Sequence, residues 1–503
     1  MRHWLVAIGL ATCLAAAACG STVQQQGRGG ATSDGLSGAS ANGGTNVQSG
    51  AGDNAAASGS DLGASGSTGS GGSTSGKGTS GSKTTGSSSS KVATTGAPTV
   101  ASGAPVEVGI VIYPDVSSFA AEFGGTADVG DQQKEAEAAV NWANAHGGLA
   151  GHKIVPVFFT VQLTSATPYD QTEQQICSVF TQDHHVVAAT TAGANVDNVM
   201  PECLKAHHVL YITIGHFMHD NTDWAQYPFM YSLAETSSTR LGTAMARETL
   251  NRKFVAKGDK VGLMVMEEPA LLRAADKVVK PMFQAQGISV TEYTVPYPTS
   301  TPDIANSVAI DQSAALKMAS QGIKTVLFLC PGCLSFFAQN AGSQHYYPRY
   351  VFSSIDGPAG LTGSQYADSF RSAFGLGWEP LQDVGGYSHN PAPGPNSTRD
   401  LCTAIEKPSG QVSGDQSFWA STILCDAVLT MWQAGQKIGT LPPTGDNLVQ
   451  GVGMFGQSWP SAMNYSTNVA PSRHDGVEAY RALKWDDGCT CFVYAAPTFF
   501  PFP

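Results

Sequence analysis

From residue 106 onward, short continuous apolar runs alternate with amphipathic stretches of helical period. Residues 106–113, Val-Glu-Val-Gly-Ile-Val-Ile-Tyr, read as a strand buried on both faces of a parallel sheet. An Ala- and Glu-rich stretch over 130–146 reads as a helix, closed by Gly147-Gly148. A strand follows at 154–160. Asp170-Gln-Thr-Glu173 has the spacing of a capping box, opening a helix that carries Ile176, Val179 and Phe180. Strands at 185–191 and 209–214 flank a helix at 195–206. The pattern then restarts. Helices are predicted at 237–254, 271–286, 304–321 and 334–342, with strands at 261–266, 288–295, 325–329 and 350–353. Asp311 falls on a face of the third of these helices that is expected to be solvated. A long helix at 418–434 and a strand pair at 479–485 and 491–494 complete the chain. Two successive β-α series predict an α/β fold of two Rossmann-like lobes with parallel sheets.

The first hundred residues follow different rules. Arg2, an apolar run from Trp4 to Ala15 and the small residues before Cys19 form the pattern of a secretory signal over residues 1–18. That run is shorter than the ~20 apolar residues needed to cross a bilayer. Ala16-Ala17-Ala18-Cys19 resembles the bacterial lipobox, with Ala16 where Leu is favoured, and implies lipidation of Cys19. Residues 20–104 contain no Phe, Tyr or Trp and are mostly Gly, Ser, Ala and Thr. Such a segment has nothing to offset the entropy of ordering. Residues 19–104 are therefore expected to be a disordered tether with a root-mean-square span of about 50 Å. The predicted location is exported, lipid-anchored on the outer face of the cell membrane.

Residues 105–503 hold 22 Lys and Arg against 36 Asp and Glu, a net charge of −14. That sign argues against nucleic acid as a partner. Eight cysteines remain in this part: Cys177, Cys203, Cys330, Cys333, Cys402, Cys425, Cys489 and Cys491. Their even number in an exported chain points to disulfides, although eight cysteines allow 105 connectivities. No metal is expected, because His184-His185, His207-His208, His216 and His219 do not have ligand spacing. No cofactor motif stands out.

The stretch 140–154, Val-Asn-Trp-Ala-Asn-Ala-His-Gly-Gly-Leu-Ala-Gly-His-Lys-Ile, resembles the helix-to-strand turn of the leucine/isoleucine/valine-binding type of substrate-binding protein. The element order over 106–495, including 322–329, follows the same family. The resemblance implies the type I periplasmic-binding-protein fold: two lobes joined by a three-crossover hinge, with crossovers near 231–236, 385–390 and 469–475. Lobe one would then comprise 105–232 and 389–470, and lobe two 233–388 and 471–503. The implied function is capture of a small ligand, an amino acid or a related amine or amide, and its delivery to an ABC permease in the cytoplasmic membrane. No enzymatic activity is implied.

The resemblance also places the ligand contacts. In lobe one they fall at Tyr113, at Thr191-Ala192-Gly193-Ala194, whose amides and hydroxyls suit a carboxylate, and at Gly215-His216-Phe217. In lobe two Asp356 occupies the place of a residue receiving an ammonium group, a role that suits a carboxylate in a desolvated cleft. The family often has a Tyr at the start of the first lobe-two helix, where this chain has Glu267-Glu268-Pro269. That departure leaves room for a cationic, larger or non-amino-acid ligand. Two alternatives compete: a ligand sensor built on the same clamshell, and an exported thiol-disulfide oxidoreductase using Cys330-Pro-Gly-Cys333. The second lacks the usual preceding Trp, since Leu329 stands there.

Overall fold

A computed structural model describes residues 100–118, 130–191, 198–213, 218–384, 396–409 and 417–503. The predicted signal sequence, Cys19 and nearly all of the expected tether lie outside these residues. Backbone pairing starts earlier than the apolar pattern indicates, with Ala101 N donating to Asn144 O and Gly103 N to Gly151 O.

Strand β1 (Gly103–Ile112) is central to the first sheet, flanked by β2 (His152–Thr160) and β3 (Ala188–Thr191). β4 (Leu210–Thr213) and β5 (Met230–Ser232) extend it in the order β2-β1-β3-β4-β5, with every pair parallel. The turn that carries the family resemblance has a clear physical basis. Asn144, at the end of the helix Gln132–Ala145, donates from Nδ2 to Ile154 O at 3.0 Å and accepts Ile154 N at 2.7 Å. One side chain thus joins the helix end to the next strand. Between them, Gly148 has φ +58°, and a Cβ there would meet His152 O at 2.0 Å. Only glycine fits.

The second sheet contains β6 (Lys260–Met266), β7 (Ser289–Val295), β8 (Thr325–Leu329), β9 (Arg349–Ser353), β10 (Phe374–Gly377), β11 (Ala479–Asp486) and β12 (Cys491–Pro501). Its order is β12-β11-β10-β9-β8-β6-β7. The five strands β6–β10 are mutually parallel, and the β11–β12 hairpin adds an antiparallel edge. A large apolar core containing Phe328, Phe337, Tyr350 and Phe370 packs around this sheet. The helix Ser417–Ile438 returns to the first lobe, where Leu424, Val428 and Trp459 share a core with Val108 and Ile110. A separate cluster, with Phe180, Tyr211 and Trp224, covers the other face of that sheet.

The lobes are joined where the chain passes between them. Ser232 N donates to His474 O, Gly476 N to Ser232 O, and Val477 N to Glu235 O, pairing the first crossover with the third. The Trp378 indole N–H donates to Ala234 O at 3.1 Å, attaching the end of β10 to the same place. The expected crossover at 385–390 lies outside the described residues.

Three sequence expectations are corrected. The helix predicted from Asp170 starts at Tyr169, after Pro168, with no side-chain cap. Asp170 therefore lies inside the first turn, and Glu173 instead accepts Met200 N at 2.8 Å. The helix predicted over 271–286 is two short helices, Pro269–Ala274 and Lys280–Gln284, joined by a π turn at Ala275–Val279. Pro281 has no N–H for the regular ladder, so the helix widens before it. Asp311 is fully buried, and neither carboxylate oxygen has a hydrogen-bond partner. The cysteines form four sequence-local disulfides: Cys177–Cys203, Cys330–Cys333, Cys402–Cys425 and Cys489–Cys491.

Candidate ligand cleft

Segments that follow the carboxyl ends of strands meet across the lobes: Asp220, after β4, contacts Arg273, after β6, and Tyr169, after β2, contacts Thr299, after β7. β1 runs directly into Tyr113, and β3, its neighbour in the sheet, ends at Thr191. Tyr113 is held at both ends. Its backbone N donates to Gln132 Oε1 at 2.7 Å, and its hydroxyl lies 3.0 Å from Thr191 Oγ1. Burial pushes the phenol pKa up, so the group stays neutral. Two neutral hydroxyls can each donate or accept, a combination suited to a carboxylate or carbonyl oxygen. Ala192, Gly193, Ala194, Gly215, His216 and Phe217 lie outside the described residues.

Asp356 closes the short turn Ser354–Asp356 that follows β9. Its Oδ2 accepts Ser353 N at 3.0 Å, and Gly357 at φ +58° lets the chain leave the turn. Only 6% of Asp356 is exposed. Burial raises its pKa well above the ordinary aspartate value, while the Ser353 and Leu334 backbone amides act in the opposite direction. Leu334 belongs to the first turn of the helix Cys333–Ser343, so the turn that carries Asp356 lies against the start of that helix, while Asp356 Oδ1 is buried without a hydrogen-bond partner. The Cys330–Cys333 disulfide at the start of that helix is buried, with exposures of 0% and 4%. Behind Asp356, Ser354 Oγ donates to Asp383 Oδ1 at 2.7 Å and Tyr494 OH to Asp383 Oδ2 at 2.8 Å.

A further charged cluster lies between the lobes beside the first crossover. Asp220 and Asp223 belong to lobe one and form a reciprocal capping box on the helix Asn221–Gln226. Arg273, from the lobe-two helix Pro269–Ala274, donates Nε to Asp220 Oδ2 at 2.6 Å and Nη2 to Asp223 Oδ1 at 2.7 Å. Its charge and hydrogen bonds hold the Asp220 pKa below the usual value, against the upward pull of burial. His219 Nδ1 lies 3.7 Å from Glu235 Oε2, both buried. Burial moves Glu235 up to about 7. His219 is shifted down by burial, but Glu235, Glu268 and Asp223 raise it on balance. Glu268 caps Pro269–Ala274 by accepting Leu271 N at 3.0 Å. Asp220, Asp223, Glu235 and Arg273 are not sequence candidates, and His219 and Glu268 enter the sequence reading only as a histidine without ligand spacing and as part of the departure at Glu267-Glu268-Pro269, although Asp220-Asn-Thr-Asp223 has the spacing of a capping box.

Two α/β lobes that meet at the carboxyl ends of their parallel strands and are joined by paired crossovers have the plan of a two-lobed binding protein. The periplasmic binding protein family matches residues 105–490, and the chain belongs to that family. Solved structures share the fold at low sequence identity. An ABC transporter substrate-binding protein from Aeropyrum pernix is 14% identical, covering 80% of this chain and 97% of that one, with a TM-score of 0.57. A branched-chain amino acid ABC transporter protein from Thermus thermophilus with bound valine is 16% identical, covering 79% and 96%, at 0.56. A solute-binding protein of an ABC transporter from Rhodopseudomonas palustris HaA2, in complex with p-hydroxybenzoic acid, is 13% identical, covering 79% and 97%, also at 0.56. Comparison with curated protein sequences gives no match.

Proposed function

We propose that this protein is an extracytoplasmic solute-binding lipoprotein that captures a small ligand between its lobes and delivers it to an ABC importer. The ligand is an amino acid or a related amine or amide, and the protein acts by binding, without catalysis. The observation that carries the reading is the hydroxyl pair of Tyr113 and Thr191 at the carboxyl ends of adjacent strands, in a member of this family. Valine and p-hydroxybenzoic acid, found in two structural neighbours, share a carboxylate that such a pair would suit. Cys19 would hold the chain at the membrane, with residues 19–104 as its leash. A leash raises the local concentration of the loaded body at its transporter.

One observation favours a second ligand class. Asp356 already accepts a backbone amide of its own turn and is buried within lobe two. A ligand with no ammonium, such as an aromatic acid, would leave that arrangement intact. A melting-shift screen against amino acids, amides, polyamines and aromatic acids separates these classes. Stabilisation by carboxylate-bearing compounds supports the reading, and response to none of them counts against it.

A further inference from the structure

The contacts between Arg273 and the two aspartates cross from one lobe to the other without using any of the chain that links them. Asp220 and Asp223 follow β4 and pack with the lobe-one core through Trp224 and Tyr227. Arg273 follows β6 on a helix whose Leu271 and Ala274 sit in the lobe-two core. Each partner therefore sits on a helix packed into its own lobe, while the loop just before Asp220 also touches lobe two, with Met218 in the lobe-two core and His219 O accepting Ser238 N.

The acceptor side is organised in advance. Asp220 Oδ1 accepts Thr222 N at 2.7 Å, and Asp223 Oδ2 accepts Asp220 N at 2.9 Å, so both carboxylates are held by their own helix turn. Arg273 places Nε and Nη2 on both oxygens of Asp220, at 2.6 and 3.0 Å. Nη2 also reaches both oxygens of Asp223, at 2.7 and 2.8 Å. A planar guanidinium on a carboxylate fixes angle as well as distance, which a lysine would not do. The side chains are 22%, 6% and 11% exposed for Arg273, Asp220 and Asp223, so the contact is only partly screened by water. Glu235 and Glu268 also lie close to His219, so Arg273 offsets part of the negative charge gathered in this interlobe region.

A second contact also crosses between the lobes. Tyr169 N, in the first turn of a helix with no side-chain cap, donates to Thr299 O of lobe two at 3.0 Å. Lobe two thus supplies a partner for a donor that the helix leaves unsatisfied. Thr299 is itself held, since its N and Oγ1 donate to Asp303 Oδ2.

We infer that Arg273, Asp220 and Asp223 form a charged brace that sets the angle between the lobes. Arg273 is a positioning residue for ligand capture rather than a ligand contact. The inference rests on the binding-protein reading for its purpose, but its test needs no ligand. Lobes that rotate apart must break the guanidinium fork, so the brace biases the ligand-free population toward the interlobe angle at which the fork is made.

The experiment places spin labels at two exposed positions, Gln133 in lobe one and Leu316 in lobe two, in the full chain with its disulfides intact. Interlobe distances are measured without ligand. Arg273→Ala should shift the distribution to longer distances. Arg273→Lys, which keeps the charge but loses the fork, should fall between it and the parent. Should Arg273→Ala fail to fold, Asp223→Asn keeps the side-chain shape, removes one charge and should lengthen the distances in the same direction. Distributions that coincide with the parent in every variant that folds would overturn the brace, even if melting temperatures fell. That result would leave the ligand screen, and with it the binding reading, untouched.

Discussion

The phenolic oxygen of Tyr113 lies 3.0 Å from Thr191 Oγ1, joining the carboxyl ends of two neighbouring parallel strands. That link presents two neutral hydroxyls together and needs no charge to do so. Tyr113→Phe keeps the ring and removes one of them. A net hydrogen bond contributes about 1 kcal/mol, so ligand affinity should fall roughly fivefold. Calorimetry on the two proteins with the same ligand checks this. Equal affinities would remove Tyr113 from the cleft.

Asp311 provides a prediction about stability and pH. Burial with no partner moves its pKa to about 8 from the ordinary 3.8. Between those values the folded chain keeps a proton that the unfolded chain has lost, so stability falls as pH rises through that window. Asp311→Asn mimics the protonated form. It should melt close to the parent at pH 4 and above it at pH 8, by an amount equivalent to a few kcal/mol. Parallel melting curves across that range would show that Asp311 does not titrate as its surroundings imply. Glu235, raised to about 7 by burial, contributes with the same sign between its ordinary value of 4.5 and 7.

The order of elements along the chain and the two-lobed plan were legible because continuous apolar runs and helical periods survive in single sequences, whereas the order of strands within each sheet comes from the fold. The turn around Asn144 was legible for a chemical reason, since the asparagine ties two backbone groups of one strand residue. β10 was not. Phe374-Gly-Leu-Gly377 lacks the apolar weight of a strand, because a Cβ at Gly375 would meet the Phe352 ring at 2.5 Å and one at Gly377 would meet Asp383 at 2.5 Å. The burial of Asp311 escaped notice because a lone carboxylate on a helix reads as solvated. The interlobe cluster was invisible because Asp220 and Arg273 are 53 residues apart and only folding brings them together.

The start of the folded body can be tested by truncation. Ala101 N donates to Asn144 O, and both Ser102 N and Gly103 N donate to Gly151 O. A chain beginning at residue 96 should melt as one beginning at residue 19 does. One beginning at residue 105 loses these bonds, at about 1 kcal/mol each, and should melt lower. Identical melting of the two would show that this pairing contributes nothing.

The eight cysteines of the body are joined in four pairs, so none should react with an alkylating reagent before reduction. Mass spectrometry of alkylated, unreduced protein reads this directly. Label on Cys330 or Cys333 would contradict the pairing and reopen the oxidoreductase alternative.

The measurement closest to the central claim is a titration of the purified body with compounds bearing a carboxylate. It is followed by thermal melting and calorimetry and repeated on Asp356→Asn. A true ligand should bind at one site per chain and raise stability with concentration, by about 2.7 kcal/mol at a hundred times its dissociation constant. If that ligand carries an ammonium group received by Asp356, the Asn variant should bind roughly thirtyfold more weakly, since loss of one partner of a desolvated charge pair costs about 2–5 kcal/mol. For an acid without an amine, the two proteins should bind alike. Amino acids, amides and aromatic acids that all leave melting unchanged, with no saturable heat, would contradict the account of this protein as a receptor for such solutes.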